Sequence, residues 1–224
     1  MDPAALGDTG ARLAASRWEY QDLPYWGGEV DACIDAYTLA NGAWLGAEVS
    51  GLEEWFVEHR MPDGGWNCEW VNGSTRSSFH STLNSAQGLL AYESMTGAGG
   101  PLRAARHAGE EYLLERGLLR RRSTGELVGP WAAHLAYPPR WVYSALRALD
   151  HFRAAAQHDV PPDPRLAEAV EVVRADRDAA GRRVQELRHP GRAWFEVDVP
   201  PGEPSKWLTL SALRVLDWWD SAAV

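Results

Sequence analysis

Four side chains able to bind a metal or move a proton fall in three short stretches of this 224-residue chain. Asp31 and Cys33 lie in VDAC (30–33), Cys68 follows a PDGGW turn (62–66), and His80 lies in SFHST (78–82). One carboxylate, one thiolate and one imidazole suit Zn²⁺, and three protein ligands leave a fourth position open, as a catalytic zinc requires. Where the helices that open at these residues start at one end of the fold, the expected metal ligands, and the expected catalytic residues, are Asp31, Cys33 and His80, with Cys68 as the alternative ligand. Residues two apart in a helix point to opposite sides, so Asp31 and Cys33 share an ion only at a helix start, with Asp31 at or near the N-cap. A helix N-terminus also lowers a thiol pKa. Each residue has a plainer use as well. Asp31 can cap a helix, Cys33 can be a small core residue, and His80 can serve as a hydrogen bonder.

A loop, NGSTRSS (72–78), precedes the helix of His80. Its small residues, hydroxyls and one arginine make either an anion site or a solvated loop capped by Ser78. Arg76 is the first candidate for holding a phosphate and Arg140 the second. Tyr37, Trp66, Phe79, Trp141, Tyr143 and Trp207 either wall an apolar substrate pocket or pack a solid core.

These groups need elements to position them. Residues 6–18 read as a short helix, ended by the PYWGG loop (24–28). VDACIDAYTLANGAW (30–44) is small or apolar on nearly every face apart from Asp35, as in an interior helix. AEVSGLEEWFVEHR (47–60) is amphipathic and stops at MPDGG (61–65). The alternation then recurs. The segments 79–97, 140–155 and 206–221 read as inner helices, and 101–119 and 163–179 as charge-rich outer ones. Letters recur too: SALRALD (144–150) returns as SALRVLD (211–217), each shortly after a basic-Trp pair. Such self-similarity marks stacked helical hairpins. The expectation is an all-α fold: an α/α toroid, partial or short, over 29–224, preceded by an N-terminal helix and loop over 1–28. An open superhelical array is the alternative.

Composition narrows the function. A net charge of −9 and a pI near 5.3 argue against a nucleic-acid surface. Two cysteines are too few for a secreted disulfide scaffold. The N-terminus reads as no export signal, and no segment carries about 18 consecutive apolar residues. A cytoplasmic protein with no membrane span is expected.

The PDGGW turn after an outer helix, followed by a polar loop and an inner helix, resembles the terpenoid cyclase and protein prenyltransferase superfamily of α/α toroids. Val30-Asp31-Ala32-Cys33 and Phe79-His80-Ser81-Thr82 resemble the Val-Asp-x-Cys and aromatic-His-Thr of protein prenyltransferase β subunits. There the Asp, Cys and His bind a catalytic zinc. The resemblance spans 30–92. It implies a zinc-dependent, prenyltransferase-like enzyme acting on an isoprenoid or other apolar substrate. The alternatives are a metal-free, terpenoid-cyclase-like enzyme using Asp31, Asp35 or His80, and a non-catalytic toroid that binds a protein or lipid. Two departures stand out. Residues 25–29, YWGGE, lack the cations that hold diphosphate in that family, and the Asp-x-Asp-Asp acid of triterpene cyclases is missing. Three to four hairpins also fall short of the usual six, so the expected ring is either incomplete, truncated at the N-terminus, or completed by a second copy or a partner chain.

Overall fold

The computed structural model describes residues 2–156, 161–192 and 194–221. Among them are eight α-helices: α1 (Thr9–Ala14), α2 (Ala32–Leu45), α3 (Ser50–Glu58), α4 (Phe79–Thr96), α5 (Pro101–Leu114), α6 (Ala145–Ala155), α7 (Ala167–Ala175) and α8 (Lys206–Ser221). Five short 3-10 turns and one two-residue antiparallel ladder, β1 (Arg183–Val184) with β2 (Pro204–Ser205), complete the described elements. The chain is thus mainly helical, as expected. It divides into two compact units, residues 1–113 and 114–224.

In the first unit the centre is the pairing of α2 with α4. Apolar or small residues on nearly all sides of α2 let it sink into the unit. Ala32, Ala36 and Leu39 are fully buried. In α4, Leu83, Ala86 and Leu89 are buried alongside uncharged polar residues Thr82, Asn84 and Ser85. The two backbones approach closely at Gly88, where a Cβ would stand 2.4 Å from the Ala36 carbonyl oxygen. Around this pair, Trp26, Val49, Leu52, Phe56, Trp66, Tyr92, Leu102 and Ala105 form one apolar cluster. The amphipathic α3 and α5 contribute Leu52 and Phe56, and Leu102 and Ala105, to it.

Both buried helices begin with a side-chain cap. The Asp31 carboxylate accepts from the Cys33 N–H, and the Ser78 hydroxyl accepts from the Ser81 N–H. Each ends at a left-handed glycine, Gly46 or Gly97, a conformation that favours glycine.

In the second unit α6, α7 and α8 pack on one another, with Ala148, Leu149, Val170, Ala212 and Val215 fully buried. The repeated letters do not mark one register. Ser144 caps α6, whereas Ser211 lies inside α8 and Ser205 receives the Leu208 N–H. Leu146 is buried at 4%, while its counterpart Leu213 is 54% exposed. Arg120 and Arg122 pair with Glu168 and Glu115.

Candidate metal centre

The centre is built from three pieces of the first unit. The start of α2 supplies Asp31 and Cys33. As N-cap, Asp31 keeps an extended backbone, and its Oδ1 lies 3.1 Å from the Cys33 nitrogen. The cap therefore turns the carboxylate toward the first turn, where Cys33 sits.

The PDGGW turn and the loop after it supply Cys68. The Met61 N–H donates to the Gly65 carbonyl at 2.8 Å, closing the turn. Trp66 then locks it in place. The indole is fully buried, its N–H donates to the Phe56 carbonyl at 3.0 Å, and its backbone N–H donates to the Thr82 hydroxyl on α4 at 3.1 Å. Downstream, Cys68 opens a 3-10 turn, Cys68–Asn72, and its N–H donates to the Ser81 hydroxyl at 3.1 Å. The Trp70 indole N–H reaches across to the Val30 carbonyl at 2.9 Å, tying the loop to the start of α2.

The first turns of α4 supply the supporting groups. The Ser81 hydroxyl lies 3.2 Å from Cys68 Sγ, and Asn84 Nδ2 lies 3.3 Å from Cys33 Sγ. That Asn84 amide also donates to the His80 carbonyl at 2.8 Å and accepts from the Tyr37 hydroxyl at 3.0 Å. Asn84 is wholly buried, so its orientation is fixed by these partners.

As a result, one donor atom from each of Asp31, Cys33 and Cys68 lies within 4.8 Å of the others. The Cys68 thiol donates to Asp31 Oδ1 and lies 3.4 Å from Cys33 Sγ. The two cysteines are unbridged. Two sulfurs on one tetrahedral zinc, each at about 2.3 Å, stand roughly 3.8 Å apart, so the observed spacing is within a few tenths of an ångström of what an ion needs. Thiolates select zinc over magnesium or calcium. The donor set therefore fits zinc, and the three residues together could hold a metal ion.

The electrostatics of the pair are asymmetric. The hydrogen bond from Cys68 holds the Cys33 thiol below its ordinary range, with smaller help from Ser81 and Asn84, against burial and the Asp31 charge. Cys68 is pushed up, chiefly by its hydrogen bond to Cys33, and further by burial. One turn along α2, Asp35 is fully buried, and burial pushes its carboxyl up to about 8. Its Oδ1 accepts from the Glu29 N–H at 2.6 Å, and its Oδ2 has no partner.

Of the expected ligands, Asp31 and Cys33 come together, and Cys68, the alternative to Cys33, stands beside it. His80 is the second residue of α4 and half-buried; it is not one of the three. It lies one helical turn before Asn84, and residues four apart share a helix face.

The expected substrate residues are dispersed. Trp66 lies in the apolar core, Phe79 is buried edge-on to Tyr112, and Tyr37 is 40% exposed. Arg76 is exposed, and its carbonyl accepts from Asn67. In the second unit Tyr143 lines a cavity of about 220 Å³ with Trp131, His134 and His189, and donates to the Leu118 carbonyl at 2.7 Å. Arg140 lines a neighbouring cavity of about 200 Å³ and donates to the Gly191 carbonyl at 3.1 Å. Trp141 is 56% exposed, and Trp207 stacks on Tyr137.

The sequence reading missed Ser81 and Asn84. The available signal was a run of uncharged polar residues inside a helix otherwise suited to burial.

Among the described residues, no helix is long and apolar enough to cross a membrane. No family model, curated protein or solved structure matches this chain.

Proposed function

We propose that this chain is a zinc-dependent, prenyltransferase-like enzyme of the α/α-toroid type, acting on an isoprenoid or other apolar substrate. The observation that carries the reading is the meeting of Asp31, Cys33 and Cys68 donor atoms within 4.8 Å. The letters that resemble prenyltransferase β subunits lie on the elements that build this cluster. These three donors leave the fourth position of a tetrahedral zinc open, as a catalytic site requires. When bound, zinc supplies a Lewis-acidic centre that keeps a thiolate or another nucleophile in its anionic form.

The chain's own residues do the positioning. Asn84 and Ser81 aim the two sulfurs, and Asp31 accepts a hydrogen bond from the Cys68 thiol in the metal-free protein. The part-exposed Tyr37 ring, held by Asn84, offers an apolar face at the edge of the site. Support for the toroid comes from the alternation of the deeply buried α2 and α4 with the amphipathic α3 and α5. On this reading a second copy or a partner chain completes the ring, and the protein works in the cytoplasm.

Metal content of the untagged protein tests the proposal. Elemental analysis is expected to find one zinc per chain. Cys33→Ala and Cys68→Ala each remove it while the helical circular dichroism signal stays. Wild-type protein that carries no zinc and takes up none on titration would leave only a metal-free enzyme or a non-catalytic binding protein.

A further inference from the structure

We propose that Cys33 and Cys68 form a redox switch, in which a hydroperoxide closes them into a disulfide and the site loses its metal; this rests on the zinc reading above. The geometry carries it. The sulfurs are 3.4 Å apart on two different elements, and a disulfide needs about 2.05 Å. Each sulfur therefore moves well under an ångström. They are the only two cysteines in the chain, so one intramolecular pairing exists. Their surroundings differ in a useful way. Cys33 is buried on α2, whereas Cys68 is half-buried on a loop turn, where a small oxidant reaches it first. Beside Cys68, the Asp31 carboxylate is already placed to take the thiol proton.

In the zinc-loaded site both sulfurs are thiolates and water supplies the two protons that the reduction of peroxide takes up; in the metal-free site the two thiols supply them. There the Cys68 sulfur attacks one oxygen of hydrogen peroxide as its proton passes to Asp31. The O–O bond breaks, and the departing hydroxide takes that proton to leave as water. The product is a Cys68 sulfenic acid. The Cys33 sulfur then attacks the Cys68 sulfur, the S–S bond forms, and the S–O bond breaks with loss of a second water that carries the Cys33 proton. In sum, two thiols are oxidised and one peroxide is reduced to two waters. Both sulfur donors are consumed, which leaves the Asp31 carboxylate as the one remaining donor of the cluster, too few to retain zinc. A thiol reductant reverses the step.

The test uses full-length, zinc-loaded protein treated with stoichiometric hydrogen peroxide. Intact mass spectrometry is expected to show the loss of two hydrogens per chain, with a peptide linking Cys33 to Cys68. A chromophoric chelator should register one zinc released per disulfide formed, and dithiothreitol with added zinc should restore the starting state. In Cys33→Ser, dimedone should trap a sulfenic acid on Cys68, because the resolving sulfur is missing. Chelator-stripped wild type forms the same disulfide, faster. Retention of zinc with Cys68 carried to sulfinic acid, or disulfides only between chains, would overturn the proposal. A protein that forms the internal disulfide but never binds zinc would overturn the metal reading, and the switch with it, while leaving the sulfur geometry intact. If stripped protein forms no internal disulfide although zinc binds at one equivalent, the switch alone fails.

Discussion

Asn84 joins the two sides of the centre: one amide touches Cys33 Sγ at 3.3 Å, the His80 carbonyl at 2.8 Å and the Tyr37 hydroxyl at 3.0 Å. Groups that orient metal ligands without touching the metal change affinity by roughly 10–100-fold when removed, so Asn84→Ala should weaken zinc binding by about that factor. Leaving buried partners unsatisfied should also cost about 1–3 kcal/mol of stability. The two effects separate spectroscopically: Co²⁺-substituted Asn84→Ala should show a shifted sulfur-to-metal charge-transfer band, which a merely less stable protein would not. Asp35 gives a second prediction at this scale. Its folded-state pKa lies near 8, above the ordinary carboxylate value of 3.8. Between those values the folded chain holds a proton that the unfolded chain has lost, so this residue's contribution makes stability fall as pH rises from about 4 to 8. In chelator-stripped protein, Asp35→Asn should flatten the fall in melting temperature over that window and raise the melting temperature at pH 7–8. An equal slope in wild type and variant would refute the assignment. At this scale the sequence is a partial guide. Asp31 and Cys33 were legible because two residues so spaced can converge only at a helix start. Cys68 was harder, because the direction of a side chain beyond a glycine turn depends on where Trp66 is buried. Asn84 carries no charge and announces nothing until the group it faces is known.

At the level of elements, the centre depends on how closely α2 and α4 approach. Gly88 permits that approach: an added Cβ would meet the Ala36 carbonyl oxygen at 2.4 Å and its Cβ at 2.7 Å. Backbone contacts of this kind yield only by moving a helix, and overpacking a core costs about 1–3 kcal/mol. Gly88→Ala should therefore lower the melting temperature. It should also loosen metal binding, because Cys33 rides on α2 while Ser81, Asn84 and His80 ride on α4. A variant with reduced stability but undiminished zinc affinity would show that the loop of Cys68, rather than the helix pair, sets the site. Helix positions were the most legible feature of the chain, since apolar runs, Ser and Asp caps and glycine stops all act locally. The recurrence of SALRxLD was less informative. In α6 the motif begins at the cap, and in α8 it begins inside the helix. The same letters thus serve two registers, one burying its first leucine and the other exposing it.

On the scale of the whole chain, all three clustered residues lie in the first of the two units, residues 1–113. A ligand that binds only the folded state stabilises it by RT ln(1 + [L]/Kd), about 4 kcal/mol at a thousandfold excess over Kd. Asp31, Cys33 and Cys68 would hold zinc between the start of α2 and the Cys68 loop, and Ser81 and Asn84 tie both sulfurs to α4, so zinc should protect the unit those elements build. Hydrogen exchange compared with and without zinc should show slowed amides at 31–45, 66–72 and 79–92. The amides of α6, α7 and α8 should exchange at unchanged rates, because none of their residues belongs to the cluster. Uniform protection of both units would mean that the metal holds the chain together globally and that the site is structural in purpose. Protection confined to 31–92 would show that the ion acts on the first unit alone, because all of its clustered donors lie there.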